Sequence, residues 1–189
     1  MIDVATQLVL LFAACVEDGS TFTVVGEAPV AAPDRARIGV EVEDNRATPE
    51  KPMPLPVRVV VTASDGTHPD GSGRGVYADG RFFADAGFSV EVPPGRTAIA
   101  LRSGPDYEPL EMDVEAKAGR EVRVRARLRR WFAPEERGWF GGDNHVHAQH
   151  DATAAIRTDL AFTALQARAD GLSYVTEADS GPSASLQGR

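Results

Sequence analysis

The stretch FSVEVPPGRTAIALRSGPDYEPLEMDVEAKAGREVRVRARL, residues 88–128, decides the fold that the sequence predicts. It alternates short runs of apolar and β-branched residues with clusters of Pro, Gly and Asp, at a spacing of about ten residues. In its last run, 121–128, apolar residues occupy every second position and arginines occupy most positions between them. Because a strand directs successive side chains to opposite faces, this pattern predicts a strand with one buried and one solvated face.

Similar runs precede this stretch and extend the prediction to an antiparallel β-sandwich. A Pro-rich connector over 47–56 and turn signals at Ser64-Asp65-Gly66 and Asp79-Gly80 separate them. We assign residues 31–130 to the sandwich and 131–138 to a linker. The predicted strands are 37–43, 57–63, a hairpin within 76–85, 88–92, 97–103, 110–116 and 121–128.

The arginine row of the last strand, Arg123, Arg125, Arg127 and Arg129, has two interpretations. It can bind a polyanion, or it can lie on the solvent-exposed face of a sheet and pair with acidic residues of neighbouring strands. Twenty Lys and Arg against 28 Asp and Glu give the chain a net charge of −8, which argues against a nucleic acid or an anionic membrane as partner. We therefore expect ion pairs within the sheet and no nucleic-acid partner.

Length and composition set the frame for the rest of the chain. With 189 residues, 42% of them hydrophobic and 25% charged, it has room for one ordinary globular domain and a remainder. The longest apolar run, 8–16, is shorter than the roughly 20 residues of a membrane-spanning helix, so we expect no membrane span. Cys15 is the only cysteine, which excludes an internal disulfide and a thiolate zinc site.

The N-terminal segment, residues 1–30, is open to two interpretations. The runs LVLLFAACVE and STFTVVG flank Asp18-Gly19, a strong two-residue turn signal, and favour a β-hairpin. The same apolar run, with two alanines before Cys15, is similar to the lipobox of exported bacterial lipoproteins, although no Lys or Arg precedes it. We favour the hairpin; export with a lipid anchor at Cys15 is the alternative to a cytoplasmic location.

Histidines cluster in DNHVHAQH, residues 143–150, which holds three of the four in the chain. In a strand, Asp143, His145 and His147 share one face. Neutral imidazoles bind divalent metal ions such as Zn, Mn or Fe, and a nearby carboxylate can orient an imidazole or bridge two metals. The segment therefore predicts a metal site; the alternative is a polar strand whose histidines only form hydrogen bonds.

A helix and a second strand follow the histidines. Thr158 is predicted to cap a helix over 159–170 that ends at Gly171, and 172–180 is predicted to be a buried strand. The apolar face of the helix is expected to comprise Leu160, Ala161, Ala164, Leu165 and Ala169.

This order of elements predicts a strand–helix–strand unit with parallel strands. Functional side chains of such units gather at the C-terminal ends of the strands, where Glu177 and Asp179 lie. We therefore add Glu177 and Asp179 to the candidate metal ligands Asp143, His145 and His147. The alternative for the two carboxylates is a helix cap or a solvated loop.

Two family resemblances follow from these motifs. The sandwich, with Pro93-Pro94-Gly95 and a Tyr107 that precedes Pro109, resembles the carboxypeptidase-regulatory-like (prealbumin-like) β-sandwiches of secreted bacterial enzymes. GWFGGDNHVHAQH and ARADGLSYVTEAD resemble the opening of a PHP-type (polymerase and histidinol phosphatase) metallohydrolase of the CehA/McbA-like branch. The resemblance implies an incomplete start of a PHP-type α/β barrel over 139–189.

The metallohydrolase resemblance also implies site residues and a function. His145 and His147 match the first metal-binding motif of the family and Asp143 matches the acidic residue before them, whereas Ala178 stands where the family has a metal-ligating histidine. The implied activity is hydrolysis of a phosphoester, carbamate or ester by metal-activated water, on a small-molecule or glycan-related substrate.

Because one strand–helix–strand unit is only the beginning of such a barrel, we expect the chain to be an N-terminal fragment, inactive alone. The alternative function is a non-catalytic β-sandwich module that binds a glycan or a partner domain and carries a vestigial metal motif.

Overall fold

The computed structural model describes residues 19–30, 32–147, 156 and 158–177, and Glu177 by its backbone alone. Strands are the main secondary structure of these residues, and eight strands form a sandwich of two four-stranded sheets. The elements of the described residues are β1 Thr21–Pro29, β2 Ala36–Asp44, β3 Val57–Thr62, β4 Arg81–Ala84, β5 Gly87–Val92, β6 Gly95–Arg102, β7 Leu110–Ala116, β8 Arg120–Leu128, a 3-10 helix Pro134–Arg137, β9 Gly142–Val146, α1 Leu160–Ala169 and β10 Tyr174–Glu177.

Alternation of apolar and polar residues builds the two sheets, whose strand orders are β1-β8-β2-β5 and β4-β3-β6-β7. In β8 the residues Val122, Val124, Ala126 and Leu128 are buried, and the arginines between them lie on the outer face. The inner faces of both sheets form one continuous apolar core. The predicted β-sandwich is thus confirmed.

One strand pair departs from the antiparallel prediction. β2 and β8 are parallel, with Ile38 opposite Val122 and Val42 opposite Ala126, whereas the other pairs of the sandwich are antiparallel. A parallel pair cannot be joined by a tight turn, and here the chain passes through both sheets between β2 and β8. The alternation of a strand gives its faces but not the direction of its neighbour, so the sequence did not predict this pair.

The hairpin predicted within 76–85 is half wrong, because only its second arm, β4, is a strand. Tyr77 donates its backbone N–H to Arg81 at 2.9 Å, and Gly80 donates to Tyr77 at 2.8 Å, so the residues before β4 form a tight turn. The Arg81 guanidinium lies over the Tyr77 ring, 4.5 Å from its centroid. This stacking holds the turn where a first arm was expected.

Both ends of the sandwich sequence are fastened to it. β1 lies within the N-terminal segment 1–30 and pairs antiparallel with β8. The other arm of the predicted N-terminal hairpin, and Cys15, lie outside the described residues. The segment predicted as a linker contains the 3-10 helix, and its Glu135 binds both terminal nitrogens of Arg130, the closer at 2.5 Å. No helix among the described residues has the length and apolar character needed to cross a membrane.

β9, α1 and β10 follow the sandwich as a separate unit, in which β9 and β10 pair in parallel as predicted. The helix packs on β3 and β4 of the sandwich through a second, small apolar cluster of Phe83, Ile156, Phe162 and Ala169. Ion pairs surround this contact: Arg58 with Asp170, Arg74 with Asp159 at 3.1 Å, and Arg168 with Asp85 at 3.0 Å. We call β9, α1 and β10 the histidine unit.

Three details of the histidine unit correct the sequence predictions. The cap is Asp159 rather than Thr158, because Asp159 Oδ1 accepts the Phe162 N–H at 2.7 Å; Gly171 ends the helix with a φ of 76°, as predicted. The predicted apolar face is right only in part, since Ala169 is buried and Leu165 is half-buried against the small cluster. Leu160, Ala161 and Ala164 are exposed, and Phe162 and Thr163 are buried instead. The strand predicted to be buried is largely exposed in the part described, because nothing among the described residues covers its outer face.

Candidate functional site

β9 carries the two histidines of the candidate site to one place. His145 is exposed near the end of β9, and His147 follows the strand and is half-buried. Their Nε2 atoms are 3.1 Å apart, and their ring centroids are 4.8 Å apart at an angle of 77°. The prediction that these two side chains share a face is therefore confirmed.

The distance between the two Nε2 atoms limits what the pair can do chemically. At 3.1 Å the Nε2–H of one ring can donate a hydrogen bond to an Nε2 lone pair of the other. Two imidazole nitrogens on one tetrahedral metal ion, each about 2.0–2.1 Å from it, lie roughly 3.3 Å apart. The same geometry thus serves an imidazole–imidazole hydrogen bond or a shared divalent cation.

Asp143 does not join the two rings; it makes a local backbone contact. Its Oδ1 accepts the backbone N–H of His145 at 2.9 Å. That hydrogen bond fixes the backbone of the residue that carries the first imidazole. Among the described residues, no group of three or more His, Cys, Asp or Glu side chains lies close enough to hold a metal ion.

The predicted carboxylates lie on or beyond the neighbouring strand. In the backbone register of β9 and β10, Glu177 is opposite Val146, between the two histidines in sequence. The C-terminal ends of the two strands are therefore adjacent, as the sequence predicted. The side chain of Glu177, together with His150, Ala178 and Asp179, lies outside the described residues, so ligation by Glu177 and Asp179 stays a prediction.

One nitrogen of the pair is buried. Nδ1 of His147 has no hydrogen-bond partner among the described residues. An imidazole that binds a metal through Nε2 normally donates its Nδ1–H to a carbonyl or carboxylate oxygen. The described residues thus bring two imidazole nitrogens together but do not include an acceptor for Nδ1 of His147.

Sequence analysis missed the contact that places β9. The Tyr174 ring of β10 lies so close over Gly142 that a Cβ there would be 2.2 Å from it. Gly141 accepts the backbone N–H of Ser173 at 2.8 Å, just before β10. The signal was present, because Gly-Gly directly before D-x-H-x-H marks a close approach of another group, but the sequence did not indicate which group.

The ion pairs predicted for the arginine row of β8 are present on the outer face of the β1-β8-β2-β5 sheet. Arg125 pairs with Glu41 at 3.2 Å and Arg127 with Glu43 at 2.7 Å, across the β2–β8 pair. Arg123 pairs along its own strand with Glu121 at 3.2 Å. The row is therefore compensated locally and is not a free cationic surface.

Comparisons with known proteins identify no family. No model of a known protein family matches the chain, and no curated protein does so. Among solved structures, the chain is similar to the crystal structure of GBS52, the minor pilin of the Gram-positive pathogen Streptococcus agalactiae, with 13% identity and a TM-score of 0.39. The match covers 55% of this chain and 48% of that one, so the chain spans about half the length of the pilin. A similarity at this level assigns no function.

Proposed function

We propose that the chain is the N-terminal part of a metal-dependent hydrolase of the PHP superfamily, CehA/McbA-like branch, with His145 and His147 as two of its metal ligands. One observation carries the proposal: two imidazole Nε2 atoms 3.1 Å apart at the C-terminal end of a strand that has a parallel neighbour. Chemistry gathers at such strand ends in α/β folds. The D-x-H-x-H sequence supports the same assignment.

The described residues fit a divalent ion as one side of its coordination shell. His145 and His147 direct Nε2 atoms toward each other, and Asp143 holds the backbone of His145 through its 2.9 Å hydrogen bond. A bound Zn, Mn or Fe ion would lower the pKa of a coordinated water and supply the nucleophile for hydrolysis of a phosphoester, carbamate or ester. Glu177 and Asp179 stay the proposed carboxylate ligands of this ion.

The sandwich has a mechanical role in this proposal. It holds α1 by the Arg58–Asp170 and Arg74–Asp159 ion pairs, and Gly104 donates its backbone N–H to Ala169 at 2.8 Å. A Cβ on Gly104 would lie 2.8 Å from the Cα of Gly171, so two backbones meet directly at the end of the helix. The histidine unit is thus seated on the sandwich, which argues for a scaffold rather than a detachable appendage.

Metal binding by the full chain tests the proposal. Equilibrium dialysis against micromolar Zn²⁺, and separately Mn²⁺, followed by elemental analysis, should show stoichiometric metal on the wild type and its loss in the His145→Ala/His147→Ala double variant. His68→Asn is the matched control, because the His68 ring is engaged elsewhere, with Nδ1 2.8 Å from the Val61 carbonyl oxygen. No bound metal, or equal binding by the double variant, would refute the proposal.

A further inference from the structure

A groove of about 530 Å³ crosses the outer face of the β1-β8-β2-β5 sheet. Gly26 of β1 is opposite Arg123 of β8, which is in turn opposite Gly39 of β2, so two glycines flank one arginine in a row across three strands. The histidine unit packs on strands of the other sheet. The groove is therefore a separate feature from the histidine pair, and we call it the glycine-floored groove.

The fold gives no reason for glycine at position 39, whereas Gly26 stands at a bulge of β1. Gly26 and Gly39 do not have the positive φ that favours glycine. A Cβ on Gly26 would meet nothing within 4 Å among the described residues, and one on Gly39 would meet only Glu121 Oε1, at an ordinary 3.6 Å. Glycine weakens a strand interior, and where no bend or close packing requires it, it often marks the approach of a ligand.

β1, the edge strand of this sheet, has a bulge beside the same groove. A bulge between Val24 and Gly26 leaves Val25 unpaired, lining the groove and 45% exposed. Bulges re-aim side chains and are frequent beside functional sites. Val25 therefore adds an exposed apolar contact to a groove that is also lined by charged residues.

The charges of the walls indicate which ligand fits. Arg123 pairs with Glu121 through Oε2, while Oε1 of Glu121 borders the floor at Gly39; Arg125 pairs with Glu41. An anion would face the carboxylates and a cation would face the guanidiniums. A neutral ligand with adjacent hydroxyls can donate to a carboxylate and accept from the neighbouring guanidinium at once, because each hydroxyl does both.

We propose that the glycine-floored groove is a binding site for a neutral glycan. A peptide is the less suitable occupant, because the backbone groups of the strands beneath are paired within the sheet and cannot extend it across this face. The volume lies within the range of about 300–1,000 Å³ that is usual for small-ligand sites. The proposal does not use the histidine pair and is independent of the proposed hydrolase function.

Binding of defined oligosaccharides to the full chain tests this proposal. We would titrate cellohexaose, xylohexaose, maltohexaose and mannohexaose, and in parallel a neutral Ser/Asn peptide, and follow binding by saturation-transfer NMR. The wild type should bind at least one hexaose saturably. Gly39→Val should weaken that binding at least tenfold while it leaves Tm unchanged or raises it by about 1–4 °C, since a β-branched residue replaces a strand glycine.

Controls separate the site from general effects. Ala98→Val enlarges an exposed residue of the opposite sheet and should bind as the wild type does. The His145→Ala/His147→Ala variant should also bind normally, so failure of the hydrolase proposal would leave this result unchanged. If Gly39→Val were to unfold, Gly26→Val would take its place, since its Cβ meets nothing. Binding of the peptide alone, of no hexaose up to 10 mM, or equally by the filled variants would overturn the proposal.

Discussion

At the scale of single residues, Asp44 is a buried carboxylate whose hydrogen bonds depend on the folded structure. It is buried at the end of β2, where its oxygens accept hydrogen bonds from the Arg46 guanidinium at 2.6 and 2.8 Å, from the Arg46 backbone at 2.8 Å and from the Tyr107 hydroxyl at 2.8 Å. Burial alone would raise the pKa of Asp44, but these hydrogen bonds outweigh it and lower the pKa to about 2. Burial and the bond to Asp44 raise the pKa of Tyr107 to about 12.

The depressed pKa of Asp44 predicts a loss of stability in acid. The folded carboxyl has a pKa near 2 and the unfolded one near 3.8, so its contribution is complete above about pH 4 and is lost as the pH falls toward 2. The difference corresponds to about 2 kcal/mol of unfolding free energy. Urea unfolding of the wild type between pH 7 and pH 2.5 should show this component, and Asp44→Asn should lack it and be less stable by about 2–3 kcal/mol at pH 7.

Asp113→Asn is the matched control, because Asp113 pairs with Arg96 on the surface at 2.6 Å and such pairs contribute about 1 kcal/mol or less. An Asp44→Asn variant with the same acid-induced loss as the wild type would contradict this assignment.

At the scale of elements, α1 is a short helix whose largest buried side chain is Phe162. Phe162 is buried at 3% exposure, and its ring meets Phe83 of β4 edge-on, with centroids 6.0 Å apart. The Arg74 guanidinium lies 4.9 Å from the centre of the Phe162 ring. Leu160 of the same helix is 49% exposed and contributes little to this contact.

Two truncations on α1 should therefore differ sharply. Phe162→Ala should weaken docking of the helix by about 3–4 kcal/mol, because it leaves a cavity beside Phe83. Leu160→Ala, on the solvent side, should change stability by less than about 0.5 kcal/mol. Hydrogen exchange of the α1 amides measures both, and the amides of β8 report on the sandwich in the same experiment. Equal effects of the two substitutions would mean that the helix docks on another face.

The strands of the sandwich could be predicted from the sequence more fully than the buried face of α1. Strict alternation, as in Val122, Val124 and Ala126, leaves one possible buried face, so strand positions and the sandwich were predictable. In α1 the alanines fit either side, and Phe83, which selects the buried side, comes from a distant strand. The parallel β2–β8 pair was likewise not predictable, because the direction of a neighbouring strand depends on partners far along the chain.

The candidate site was likewise predictable from the sequence only in part. His145 and His147 are two residues apart, so strand geometry alone predicted their meeting. Three features depend on three-dimensional neighbours: the ring of Tyr174 over Gly142, the Nδ1 of His147, which has no partner among the described residues, and the local contact of Asp143. No spacing in the sequence indicates them. Sequence thus identified which side chains meet, whereas the environment of each came only from the structure.

At the scale of the whole molecule, two apolar cores of unequal size share the chain. The sandwich core contains buried residues from all its strands but β1, whereas the core under α1 consists of Phe83, Ile156, Phe162 and Ala169 among the described residues. Burial of apolar surface stabilises by about 25 cal/mol per Å². The smaller core therefore leaves the histidine unit with much less stabilisation than the sandwich, and each of the partly solvated ion pairs around it adds about 1 kcal/mol or less.

The unequal cores predict an order of opening. In hydrogen exchange of the full chain at increasing urea, backbone amides in 142–146 and 160–177 should lose protection at a lower urea concentration than those of β2 and β8, because local opening follows local apolar burial. Arg58→Gln, which removes the pair with Asp170, should move the opening of the histidine unit to still lower urea and leave β8 unchanged. Arg96→Gln, which removes an exposed pair on the sandwich, should shift neither. Coincident loss of protection in both regions would instead mean that Gly104, Gly171 and the ion pairs join the sandwich and the histidine unit into one cooperative body.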